Sequence, residues 1–122
     1  MIQVKNRVVP FGSFKALAAW PFIFVRSGKE LSEVDIRHER IHGRQQLEML
    51  IAGFYVAYAI CWLIELVRCA RDKSRGQAEP HCRQRKYLHR VAHVIIFERE
   101  AYAEERSETY LHTRRLWAWI KY

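Results

Sequence analysis

Little in this sequence would cross-link or divide a chain. The three cysteines, at 61, 69 and 82, are an odd number with no C-x-x-C pair. That argues against a disulfide framework and leads us to expect free thiols in a reducing, cytoplasmic compartment. The sequence has no internal repeat and no low-complexity tract. Half of its residues are apolar and 28% are charged, which excludes a disordered tail. A length of 122 residues favours one domain, 1–122, over two. Residues 1–26 do not read as a secretory signal, because Pro10 and Pro21 break the apolar stretches and no small-residue cleavage site follows. The longest run without formal charge, 49–64, has 16 residues between Glu48 and Glu65. A spanning helix wants about 20, so this run falls between a core helix and a membrane segment.

Acidic residues are also in short supply. Lys and Arg outnumber Asp and Glu by 21 to 13, a net charge of +8, and 15 of the cations are Arg. Such a balance suits an anionic partner, nucleic acid or acidic lipid, without naming a function. Basic residues flank 49–64 on both sides, so the positive-inside rule assigns that segment no orientation.

The coarse reading is α+β, with a short N-terminal β element (1–30) followed by two long helical regions. Residues 2–9 read as a strand and turn. Residues 16–26 read as a second strand that Pro21, lacking an N–H, confines to a sheet edge or a bulge. Ser32-Glu33-Val34-Asp35 has the pattern of an acidic capping box with Ser32 as N-cap. Helical patterning then continues over 32–70. A straight helix of that span would be about 57 Å long, so Gly43 or Gly53 is expected to bend or break it. Residues 72–86 form a polar connector, and a second helix is expected over 87–115.

The sharpest motif is His38-Glu39-Arg40-Ile41-His42, an H-E-x-x-H just after the capping box. Residues four apart on a helix share a face, so His38 and His42 can offer two imidazoles to one cation. Glu39 is displaced around the helix and can act as general base on a zinc-activated water. Two histidines need a third ligand, and Glu98 is the best placed. On a helix its neighbours are Val94, Ile95, Ala101 and Tyr102, an apolar or amphipathic face on which an unpaired carboxylate is costly. Glu100, among more mixed neighbours, is the alternative ligand. Tyr102, His112, His89 and His93 are candidates for stabilising an oxyanion, and no spacing selects among them. Asp35 and Gln46, one turn outside the histidines, are candidates to support the ligands.

HERIH followed by a helix bearing EREAY resembles the gluzincin metallopeptidases. EREAY is similar to the ExEAD-type pattern of the CAAX-prenyl and heat-shock membrane metallopeptidases, whose first Glu, a metal ligand, falls on Glu98. The Asp that ends that pattern is Tyr102 here. The small size resembles the minigluzincins, and the two stretches are also similar to a group of small bacterial H-E-x-x-H proteins. The motifs cover about 20 residues. The resemblance implies a single Zn2+, a peptide or protein substrate, and an edge strand ahead of the active-site helix, a place occupied by residues 20–26. Membrane association through 49–64 is compatible with this reading. Two rivals stand beside it: a basic protein that binds nucleic acid or a membrane surface with HERIH fortuitous, and a zinc that merely clamps helices.

Overall fold

The computed structural model describes residues 1–9, 14–77 and 95–122. The fold is α+β, with a small N-terminal sheet followed by long helices. Strand β1 spans Ile2–Asn6, β2 Ala16–Ala19 and β3 Phe22–Arg26. The sheet order is β1-β3-β2. β1 runs parallel to β3, Ile2 opposite Phe22, and β2 runs antiparallel to it, Ala16 opposite Val25. Alternation along β3 buries Ile23 and Val25 on one face and leaves Phe22 exposed on the other. β1 stops at Asn6, whose side-chain oxygen accepts from the N–H groups of Val8 and Val9 and turns the chain.

The sheet departs from expectation at two points. Residues 16–26 form two strands, because Pro21 sits in the turn between them, where no N–H is required. Residues 20–26 therefore do not supply the edge strand beside the H-E-x-x-H helix. β3 is the central strand, and the edge next to that helix is β2.

Helix α1 spans Glu33–Glu48 and starts with the expected capping box. Ser32 Oγ accepts from the Asp35 N–H, and Asp35 accepts from the Ser32 N–H. Helix α2 spans Ala52–Ser74. The break falls neither at Gly43 nor at Gly53 but at Leu50 and Ile51, both with positive φ (54° and 58°). Gly43 stays inside α1, packed closely beneath the Met1 side chain.

Helix α3 spans Ile96–Glu104, and the short helix α4 spans Tyr110–Thr113, ahead of a 3-10 turn over Ala118–Lys121. The expected continuous helix over 87–115 is thus interrupted on both sides: it begins only at Ile96, after an extended Ile95, and ends at Glu104, while its portion 87–94 lies outside the described residues. The end coincides with Glu105, whose carbonyl accepts from Arg37 Nε of α1 at 2.8 Å. α1 packs between β2 and α3. Phe97 links the layers, with ring centroids 5.1 Å from Phe54 of α2 and 4.9 Å from Trp119. Cys61 is free, and Cys82 lies outside the described residues.

Candidate metal centre

The buried face of α1 is largely polar: His38, His42, Gln45 and Gln46 all point inward beside Ile41. Buried polar groups need partners, and each of these has them. His38 and His42, one turn apart, meet Glu98, which the first turn of α3 brings over them. His38 Nε2 lies 3.1 Å from His42 Nε2 and 3.2 Å from Glu98 Oε2, and His42 Nε2 lies 3.4 Å from Glu98 Oε1. All three residues are under 10% exposed.

The far sides of both rings are also engaged. His38 Nδ1 lies 2.8 Å from Glu105 Oε2, and His42 Nδ1 lies 2.8 Å from Gln45 Oε1. Both of those oxygens are acceptors, so each Nδ1 is the ring nitrogen that donates. In the neutral rings the two Nε2 lone pairs then face each other and the Glu98 carboxylate. Such a convergence is stable only around a cation or a proton. Tetrahedral zinc with bonds of about 2.0–2.1 Å has ligand–ligand edges of about 3.3 Å, close to the 3.1 Å between the two Nε2 atoms and the 3.2 Å from His38 Nε2 to Glu98 Oε2. The donor set of two imidazoles and one carboxylate, with far-side partners on both imidazoles, therefore fits zinc.

Without a metal, charge is settled by protonation. Burial pulls the His42 pKa down, but the adjacent Glu98 carboxylate more than offsets this and raises it to about 9. Burial opposes ionisation of Glu98, yet His42 and His38 hold its carboxyl far below the ordinary range. Burial pushes the Glu39 carboxyl up, against the pull of His42 and His38 and a backbone hydrogen bond at Ala18, while Glu98 pushes it further up.

The other anticipated residues fall elsewhere. Glu100 is completely buried and turned away from the histidines, where it accepts from Tyr110 Oη (2.9 Å), Gln45 Nε2 (2.7 Å) and Arg114. The same contacts displace it as the alternative ligand. The Tyr102 ring packs edge-on against His38, with centroids 4.6 Å apart. His112 is exposed on α4. Asp35 is occupied in the helix cap and with Lys15, at 2.6 Å. Gln46 serves the sheet, accepting from the Trp20 N–H and donating to the Ala18 carbonyl, both at 2.8 Å. His89, His93 and the basic group Arg83, Arg85, Lys86 and Arg90 lie outside the described residues.

Three residues that touch the cluster carry no sequence signal of their own: Gln45, Glu105, and Tyr58 of α2, whose hydroxyl donates to Glu98 Oε1 at 2.9 Å. Tyr58 sits in an aromatic-rich apolar run that reads as packing alone. No family model, no curated protein and no solved structure matches this chain.

Proposed function

We propose that the chain is a minimal zinc-dependent metallopeptidase, in which His38, His42 and Glu98 hold one zinc ion and Glu39 is the general base. The observation that carries this reading is the convergence, from two helices, of the two histidine Nε2 atoms and the Glu98 carboxylate, with contacts of 3.1–3.4 Å between the three groups. Among the described residues no fourth His, Cys, Asp or Glu joins the group, which supports an open catalytic site over a closed structural one. Zinc, when bound, supplies Lewis acidity that polarises a peptide carbonyl and lowers the pKa of water. Glu39, raised in pKa by burial and next to the ligands in sequence, is suited to take the proton that water gives up. Tyr58 fixes Glu98, and Tyr102 packs on His38 at the exposed side of the cluster.

α2 is, by length and composition, long and apolar enough to cross a membrane. The finer reading is that the enzyme works at a membrane, with α2 in contact with lipid and its substrate a peptide or protein presented there.

The test is zinc content of untagged protein by elemental mass spectrometry, followed by peptide hydrolysis. The expected result is close to one zinc per chain, lost in Glu98→Ala and kept in Glu39→Gln, which in turn abolishes hydrolysis. Absence of zinc after reconstitution at neutral pH would refute the metal centre. Undiminished hydrolysis by Glu39→Gln would refute the assigned base.

A further inference from the structure

His42 has two ring nitrogens, and the contacts behind the ring decide which of them faces the cluster. Nδ1 meets Gln45 Oε1 at 2.8 Å. Gln45 is fully buried, and its Nε2 donates to the Phe97 carbonyl at 3.0 Å and to Glu100 Oε2 at 2.7 Å. Both of those partners accept. A flipped carboxamide would set its oxygen against two oxygens, so the amide has one admissible orientation.

Glu100 is fixed in turn. Tyr110 Oη donates to its Oε1, and Arg114 reaches both carboxylate oxygens, with Nη2 at 3.1 Å from Oε2. Arg114 is also paired with Glu48 of α1. A guanidinium offers donors only, so it sets the polarity of every link behind it. Arg114 donates to Glu100, Gln45 donates to Glu100, and His42 is left to donate to Gln45.

We propose that Gln45 is a positioning residue for the metal centre. With Glu100 and Arg114 behind it, the Gln45 carboxamide oxygen keeps a proton on His42 Nδ1 and turns Nε2 toward His38 and Glu98. The effect on metal affinity rests on the zinc reading above, whereas the ring orientation is a property of the chain itself. The inference also gives Glu100 a role: it supports a ligand from behind and binds no metal.

The experiment is 15N-edited NMR of the histidine rings in metal-free and zinc-loaded protein, together with zinc dissociation constants from chelator competition. In the wild type, a slowly exchanging Nδ1–H of His42 is expected in both forms, with Nε2 shifted on zinc binding. Gln45→Met should lose the slow exchange and weaken zinc binding by about 10–100-fold. The Nδ1–H exchange of His42 is a signature that a mere packing role for Gln45 would not move. Zinc on Nδ1 in the wild type, or wild-type behaviour of Gln45→Met, would each overturn the proposal. The wild-type spectrum decides the ring orientation even where a variant does not fold. If the wild type takes up no zinc, the metal reading fails separately, and the metal-free Nδ1–H signal of wild type against Gln45→Met still decides the positioning role.

Discussion

At the residue scale, His42 and Glu98 sustain each other's charge in a site that excludes most water. The folded His42 pKa, about 9, lies above its ordinary 6.5. Its contribution to stability is therefore complete below pH 6.5 and is lost as pH rises through 9. Glu98 is depressed below 4.5, so its contribution is complete above that value and is lost on acidification. Metal-free protein should be most stable between about pH 4.5 and 6.5. Thermal melts in the presence of a chelator should show the midpoint falling from pH 6.5 to 9, with the slope much reduced in His42→Gln. A wild-type profile that is flat over that range would rule out the coupled pair. The histidines were readable from sequence because helix phase alone places His38 with His42. For Glu98 only the Ala101 and Tyr102 half of the expected helical face is described, since the helix starts at Ile96 and Val94 lies outside the described residues. Tyr58, Gln45 and Glu105 were not readable. Tyr58 and Glu105 acquire their roles from partners 40 and 67 positions away, and Gln45, beside His42 on one helix, is oriented by Glu100, 55 positions away.

At the element scale, the long helical pattern had to break, and glycine was the natural place to look because it adopts positive φ without steric cost. The chain breaks instead at Leu50 and Ile51, where a Cβ makes the same conformation unfavourable by roughly 1–2 kcal/mol per residue. Gly43 cannot serve as the break, because it lies on the buried polar face that α1 needs intact from His38 to Gln46. Gly53 comes after the turn has been made, inside α2. Leu50 is 86% exposed, so replacing it sacrifices little packing. Leu50→Gly should therefore stabilise the protein by about 0.5–1 kcal/mol, relief of the left-handed strain being partly offset by the greater freedom of glycine in the unfolded chain. That corresponds to a rise of several degrees in melting midpoint for a chain of this size. A lower midpoint would mean that the Leu50 side chain contributes more than its backbone costs. The capping box was legible because its defining hydrogen bonds run between Ser32 and Asp35, three positions apart. The split of 16–26 into two strands turned on whether Pro21 lies in a strand or a turn, which alternation alone does not decide.

At the scale of the whole molecule, α2 is apolar on faces that the rest of the described chain leaves uncovered. Only 11% of its most apolar stretch is buried inside the molecule. Val56, Ile60, Leu63, Ile64 and Val67 are 52–68% exposed and recur at helical spacing along one side, while Phe54 and Tyr58 face the core and the metal centre from the other. A soluble core helix would bury such a stripe, and so large an exposed patch marks an interaction surface. At 23 residues the helix is about 34 Å long, comparable with the roughly 30 Å hydrocarbon thickness of a bilayer. Its C-terminal end carries Arg68, Arg71 and Lys73, followed by Arg75, a cluster that acidic headgroups attract by about 1 kcal/mol per charge near the surface. Membrane contact through this side predicts that the protein co-sediments with vesicles containing acidic phospholipid. Raising the salt should weaken the binding only in part, because the apolar contribution is not screened. Ile60→Lys with Ile64→Lys should abolish co-sedimentation and leave zinc content unchanged, since both side chains point away from Tyr58 and Glu98. If those substitutions instead convert a dimer into a monomer without altering vesicle binding, the stripe is covered by a second copy of the chain, and the membrane assignment falls while the metal centre stands.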